Sequence, residues 1–356
     1  MSDTPPMITV GMPTYKRINY LRAALDSALS QDYPSFEIIV HDDTQDDSIR
    51  SIVESCKSDK IRYQQNNPPV GVVKKLNDFL NMAKGEWLVI LCDDDVFEPG
   101  FLKAVGAMAS EHPNAGLIRT KFKLIGKDGG RLGEDQTCDF ELPPYKFASR
   151  IFDIHNRLFT MNVTGIAFRP GRLKDLGGFR QFYGGNHLDI FTWFLLGSSA
   201  PSYCDPRPLC SLRMHQGSLT NAQNNPKVKE TLEANFWVQR EVEAVIERLE
   251  AGAKTEQEKR LAAETRRVFG MYFSEWVSVY DAAFEYSLAN DPSPWKSFGQ
   301  TLNAMKRLKV PLYRRLAIYL ALAPAPLWLR KKALGRYLKY RHRRLQEHYE
   351  KQGVLA

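Results

Sequence analysis

Three aspartates stand in a row, Asp93, Asp94 and Asp95, directly after the apolar run "WLVILC" at residues 87–92. Adjacent carboxylates at the end of a buried strand repel one another, and ionising all of them is costly without a neutralising partner. Clustered hard oxygen donors suit Mg2+ or Mn2+, ions that also bridge phosphate oxygens. Such an ion removes the repulsion. A second apolar run, "FEIIVHDD" at residues 36–43, ends in Asp42 and Asp43. A lone aspartate after a strand ordinarily caps the next helix or faces water. A triplet facing a pair from another strand end reads instead as a ligand-facing constellation. The first apolar run, "MITVGMP", leads into Pro13, Thr14, Tyr15 and Arg17, and Lys74 and Lys75 follow "PPVGVV". Lysines there either reach a phosphate or lie on an exposed helix face.

Two common phosphate-binding devices are missing. No G-x-x-x-x-G-K-[ST] occurs, and no G-x-G-x-x-G follows the first strand, which argues against P-loop and dinucleotide folds. A diphosphate would therefore be held by metal and basic side chains.

The elements that must position these groups alternate. Apolar runs at 7–13, 36–43 and 87–92, and the weaker "IRYQ" at 61–64, read as strands. Between them, Leu21, Ala24, Leu25, Ala28 and Leu29 share one helix face, as do Leu76, Phe79, Leu80 and Ala83. Alternating β and α elements with near-continuous apolar strands predict a doubly wound, mostly parallel α/β sheet. Ligands of such sheets bind at the carboxyl ends of the strands, where the aspartates stand. Residues 115–216 are mixed, with glycine turns at "GKDGG", "LGGF" and "FYGGN", and from about Pro226 the pattern is helical.

In this order the motifs resemble family 2 glycosyltransferases of the GT-A fold. The opening "ITVGMPTYKRINYLRAALDSALSQDYPSFEIIVHDDTQDDS" is similar to the family's strand, P-T-Y-x-R, helix ending in S-x-x-x-Q, and strand ending in D-D-x-S/T. "VGVVKKLNDFLNMAKGEWLVILCDDDVFEP" continues it through Asn77, A-x-G-E and D-D-x-x-x-P. Weaker landmarks follow at "LGGF", "HLDIFTW" and "RMHQGSLT", so the likeness spans about residues 7–220.

The resemblance implies an inverting enzyme that uses a sugar nucleotide and Mn2+ or Mg2+. It implies that Pro13 and Tyr15 line the base, with Arg17 and Lys74 on the nucleotide-sugar side. Asp42 would accept a hydrogen bond from the base, with Asp43 beside it. Asp93 would contact ribose or metal, and Asp94 aligns with the metal carboxylate. Asp95 would share the metal or cap the following helix, and His215 would be a further ligand of metal or diphosphate. Many relatives begin the aspartate run one position earlier, where this chain has Cys92, a soft and poor ligand for Mg2+. The acceptor hydroxyl needs a base. Asp189, before an apolar helix with Trp193 one turn on, fits that role better than its rival His187. Gly178, Phe179 and His187 are then expected on the acceptor side.

The remainder of the sequence bounds the setting. The chain has 356 residues and is 43% hydrophobic, enough for a GT-A domain at 1–225 and a helical region at 226–356. The first would divide into a nucleotide-binding half at 1–115 and an acceptor-binding half at 116–225. Five scattered cysteines without a C-x-x-C pair point to reduced thiols and a cytoplasmic setting. The N-terminus lacks the pattern of a signal peptide. The net charge is +8, yet residues 292–346 hold fourteen Lys and Arg and no Asp or Glu, leaving −6 for the rest. Interleaved with Leu, Tyr and Trp, that tail predicts peripheral docking on an anionic membrane, its inner cytoplasmic face. No nucleic-acid module is recognisable, and nucleic acid is not expected as a partner. Nothing fixes an oligomeric state. The expected activity is sugar transfer to a glycan or lipid-linked acceptor in cell-surface polysaccharide synthesis. Two alternatives are a phosphatase of the haloacid-dehalogenase type, with Asp93 as nucleophile and Asp95 as acid, and a membrane-surface adaptor that keeps the fold without turnover. The phosphatase pattern expects Thr or Val where this chain has Phe97.

Overall fold

The computed structural model describes residues 4–135, 138–152, 162–180, 188–215 and 228–270, without the side chains of 228–237. Its elements run β1 (Ile8–Thr14), α1 (Ile18–Leu29), β2 (Phe36–Asp42), α2 (Ser48–Ser55), β3 (Ile61–Gln65), α3 (Val72–Met82), β4 (Trp87–Ile90), β5 (Val96–Phe97) and α4 (Phe101–Glu111). After them come β6 (Leu117–Gly126), β7 (Arg131–Glu134), β8 (Glu141–Leu142), α5 (Pro144–Ile151), β9 (Ile166–Phe168), α6 (Pro170–Asp175), α7 (Leu188–Ser199), β10 (Ser202–Met214) and α8 (Val228–Gly252). A further helix, α9, occupies 256–270.

One sheet holds all these strands in the order β3-β2-β1-β4-β9-β6-β10-β5, with β7 on β6 and β8 on β10. The first four pair in parallel, as the continuous apolar runs require of strands covered on both faces. β9 is antiparallel to both neighbours, and β6 and β10 are again parallel. Side chains along a strand alternate between faces, and the core divides accordingly. Trp87, Val89 and Leu91 pack with Leu21, Leu25, Phe101 and Leu102 on one side. Leu88 and Ile90 pack with Phe79, Phe147 and Trp193 on the other. Helix α3 lies so close to β1 that a Cβ on Gly11 would sit 2.9 Å from the Phe79 ring.

The described part of the helical region, α8 and α9, packs on this core. Val238, Val242, Val245 and Leu249 form a stripe at helical spacing on α8, and with Ala262, Val268 and Phe269 they join the cluster that contains Phe147 and Trp193. Tyr145 Oη donates to the Leu249 carbonyl at 3.1 Å, and the Phe152 and Phe269 rings lie 5.0 Å apart. Among the described residues, no helix is long and apolar enough to cross a membrane. The basic stretch 292–346 lies outside the described residues.

Candidate functional site

The parallel strands β1, β2 and β4 end at one edge of the sheet and deliver the aspartates there. At the β2 end, Asp42 is fully buried. Its carboxylate accepts hydrogen bonds from Thr14 Oγ1 at 3.1 Å, the Thr44 N–H at 2.7 Å and Tyr63 Oη at 2.8 Å. Asp42 is thus satisfied by protein donors and presents no exposed surface. Asp43 is buried as well. It accepts from Asn66 Nδ2 at 2.8 Å and from the N–H groups of Val70 at 3.1 Å and Gly71 at 2.9 Å. Gly71 takes φ 84° to aim its N–H there, a conformation that favours glycine. Lys75 Nζ completes the cage at 3.1 Å from Asp43 and 2.6 Å from the Thr14 carbonyl. Burial pushes the Asp43 carboxyl up, but the donors of Val70, Asn66 and Lys75 outweigh it and hold the group below its ordinary value. Lys74 points elsewhere. It is exposed and pairs with Asp78 one turn along α3 at 2.8 Å.

The β4 end is different. The strand stops at Ile90, two residues before the apolar run does. Leu91 still donates to the Gly11 carbonyl at 3.0 Å, but the Cys92 N–H turns to Thr164 Oγ1 at 3.1 Å. The three aspartates follow in that turn. Asp93 accepts from the Tyr15 N–H at 3.4 Å and from Arg17 at 3.3 Å. Asp94 Oδ2 contacts both Arg17 and His215 Nε2, the latter at 3.0 Å. Asp95 accepts from Thr164 Oγ1 at 2.5 Å and from the Arg213 N–H at 2.8 Å. It caps no helix, since α4 begins only at Phe101 behind Gly100. Burial raises Asp93 to about 7 even with Arg17 pulling it down, and burial together with Asp94 raises Asp95. The triplet is short of positive charge.

Cys92 Sγ and oxygens of Asp94 and Asp95 lie within 4.8 Å of one another, close enough to share one ion. Burial and the neighbouring aspartates push the Cys92 thiol well up, so it stays protonated and is a poor donor to a hard cation. The carboxylates are the fitting donors, and burial, before any neighbour, is what raises Asp93 and Asp95. The chemistry of this donor set fits Mg2+ or Mn2+.

Pro13 and Tyr15 flank the same edge, Pro13 half-buried and Tyr15 49% exposed. Gly178 turns the chain after α6 and donates to the Leu173 carbonyl at 2.8 Å. Phe179, expected on the acceptor side, is instead in the core. It is 3% exposed, packs on Phe168 and Trp193, and is held at both backbone groups by the Asn77 amide at 2.8 Å. Its large apolar ring gains more from burial than from facing a sugar. His187 lies outside the described residues.

Asp189 falls in the first turn of α7, where a carboxylate favours the helix dipole. Its Oδ1 accepts from the Ile190 N–H at 2.8 Å, and burial raises its carboxyl above the ordinary value. One turn on, Trp193 Nε1 donates to the Asn162 carbonyl at 3.1 Å, two residues before the Thr164 that holds Asp95. Helix α7 and the aspartate turn are thus tied to one short segment. Thr164 carries no motif, and only the fold brings it to the aspartates. Arg213 stands inside "RMHQGSLT", two residues before His215, so its motif was visible although its role was not.

The sequence profile described as "Glycosyl transferase family 2" matches residues 9–169, from β1 through β9. An uncharacterized glycosyltransferase of Haemophilus influenzae is 30% identical over 62% of this chain and 73% of its own length. The chain belongs to glycosyltransferase family 2. This family 2 glycosyltransferase is also 35% identical, over 44% of its length, to the GalNAc(5)-diNAcBac-PP-undecaprenol beta-1,3-glucosyltransferase of Campylobacter jejuni, spanning 54% of that protein. In fold it is similar to S. aureus TarS 1–349 in complex with UDP-GlcNAc, with a TM-score of 0.59 and 19% identity over 78% of this chain and 81% of that one. The mannosyltransferase PcManGT of Pyrobaculum calidifontis, in complex with GDP-Man and Mn2+, gives 0.51 and 18% over 92% and 87%. Membership in this transferase family replaces the phosphatase alternative. The profile ends before Asp189 and His215, so their part in the site rests on geometry and motif.

Proposed function

We propose that this family 2 glycosyltransferase moves a sugar from a nucleoside-diphosphate donor to a hydroxyl of a glycan or lipid-linked acceptor, with inversion at the anomeric carbon. The observation that carries the reading is the under-neutralised triplet Asp93–Asp95 at the β4 end, flanked by Arg17 and His215. Buried carboxylates kept short of counter-charge belong to sites that bind cations. Asp94, Asp95 and His215 are the residues to hold Mn2+ or Mg2+, with Asp93 toward ribose or metal. Such an ion offsets charge on the departing diphosphate. The fold neighbours named for their UDP-GlcNAc and GDP-Man complexes support a sugar-nucleotide donor, and the Campylobacter relative's name supports a lipid-linked acceptor.

The chain's own residues supply the rest. Tyr15, exposed beside the aspartates, offers a ring on which a base stacks, and Pro13 is proposed to line the base with it. Arg17 is the cation nearest the place of the diphosphate. Asp189 takes the proton of the attacking hydroxyl. A carboxyl with a raised pKa is a stronger base than a solvated one, and its place at the first turn of α7 keeps it oriented. Gly178 is proposed to contact the acceptor, and the sequence motif suggests the same role for His187. The basic stretch 292–346 docks the enzyme on an anionic membrane, where a lipid-linked acceptor resides.

A thermal-shift panel of UDP-, GDP- and dTDP-sugars with Mn2+ identifies the donor. With it, Asp189→Asn is expected to lose transfer by about 10²–10⁴-fold while nucleotide binding is kept. Near-normal transfer by that variant removes Asp189 as base. Nucleotide binding by the unaltered chain without transfer to any acceptor favours a non-catalytic adaptor.

A further inference from the structure

Arg17 occupies the contact that a divalent cation needs. Its guanidinium touches Asp93 and Asp94 together, and on Asp94 it shares Oδ2 with His215 Nε2. The Asp93 and Asp94 side chains are 6% and 9% exposed, while Arg17 keeps 21% of its side chain open. The arginine therefore closes the carboxylates from the solvent side. Its placement is built into the backbone. Lys16 adopts φ 56°, a left-handed conformation rare for a residue with a side chain, and Arg17, at the N-cap position just before α1, meets the β4 turn. One turn further, the Tyr20 ring lies 4.9 Å from that of His215, and the Arg213 guanidinium lies 4.9 Å from the Tyr20 centroid. The start of α1 and residues 213–215 thus form one packed unit over the aspartates.

A metal on Asp94 and the Arg17 guanidinium are both cations and both claim Asp94 Oδ2. At such a separation in a buried site, like charges exclude each other. The metal enters only if Arg17 moves off. A diphosphate gives it somewhere to go, because a guanidinium binds phosphate oxygens in a bidentate fork at least as well as it binds carboxylate.

We propose that Arg17 is an electrostatic placeholder: it neutralises Asp93 and Asp94 in the donor-free enzyme, excludes free divalent cation, and transfers its contact to the donor diphosphate when metal and nucleotide arrive together. This rests on the functional reading above. Its consequence is positive coupling between metal and nucleotide, each binding weakly alone and tightly with the other. An enzyme built this way does not fill its site with metal that lacks a donor.

The test is a titration of Mn2+ by the EPR signal of the free ion, with and without UDP or GDP, on the full chain and on Arg17→Met and Arg17→Lys. In Arg17→Met, Mn2+ alone is expected to bind about tenfold tighter than in the unaltered chain, and the diphosphate with Mn2+ about tenfold weaker, so that the coupling shrinks. Arg17→Lys keeps a charge without the fork and should fall between. Melting temperatures give a second readout: Mn2+ alone should raise that of Arg17→Met more than that of the unaltered chain. Unchanged or weaker Mn2+ binding in both variants overturns the placeholder while leaving a metal-dependent transferase intact. Failure of the unaltered chain to bind Mn2+ even with a diphosphate overturns the metal reading itself and the placeholder with it.

Discussion

Two groups of aspartates end neighbouring parts of one sheet and have opposite surroundings. Asp42 and Asp43, at the end of β2, are caged by seven protein donors: Thr14, Thr44 and Tyr63 on one, Asn66, Val70, Gly71 and Lys75 on the other. Asp93, Asp94 and Asp95, after β4, meet the Arg17 guanidinium and the His215 ring, and two of the three have raised pKa values. The same residue type at the same edge thus serves two purposes. The caged pair is satisfied from within the protein and fixes the loops after β2 and β3. The triplet, with fewer donors for each carboxylate, is the group we propose for metal and diphosphate. Burial alone does not separate them, since both groups are buried. The supply of donors does.

The largest effect should come from exchanging the two kinds of loss. Asp94→Asn is expected to lower transfer by on the order of 10³-fold, several kcal/mol of transition-state stabilisation, with a smaller change in melting temperature than Asp43→Ala, because Arg17 keeps Asp93 as its partner. Asp43→Ala should do the reverse to stability. It leaves Lys75 buried without its anion, a loss of about 3–5 kcal/mol in urea denaturation. A stability loss in Asp94→Asn equal to that in Asp43→Ala would erase the distinction. The two adjacent lysines sharpen it next. Lys75→Met removes the buried cation from Asp43 and should cost about 3 kcal/mol. Lys74→Met removes an exposed i,i+4 pair and should cost about 0.5 kcal/mol or less, with transfer unchanged.

The smallest effects are in pH. The Asp43 carboxyl is held below its ordinary value in the fold, so its contribution to stability is complete above the unfolded value near 4 and is lost as pH falls through the folded one. The stability difference between the unaltered chain and Asp43→Asn should therefore shrink only below about pH 4. Asp189 is shifted the other way. As a base it works only when ionised, so the acid limb of transfer should lie above the ordinary carboxylate value and disappear in Asp189→Asn. An acid limb unmoved by that substitution assigns it to another group.

The first ninety residues were nearly readable as written. Most of their strands are continuous apolar runs and two of their helices have clear single faces, so β1 to β4, α1 and α3 fall within a few residues of the expected bounds, while α2 (Ser48–Ser55) was not anticipated. The second half of the sheet was not. β10 is a thirteen-residue strand that contains Pro206 and Pro208 and shifts register around them, a pattern that local signals read as turn. It nonetheless carries Arg213 to Asp95.

Composition and order by themselves determined the doubly wound sheet, the strand-end carboxylates and the family likeness, because apolar periodicity and short motifs are local properties of the chain. Which carboxylate is caged and which is left for a ligand was decided only by the tertiary structure. Tyr63 reaches Asp42 from 21 residues away, Thr164 reaches Asp95 from 69, and Arg213 from 118. The charge balance of a buried group depends on everything folded around it, and Asp43 and Asp95 look alike until Lys75 reaches the one while the Thr164 hydroxyl and a backbone N–H reach the other.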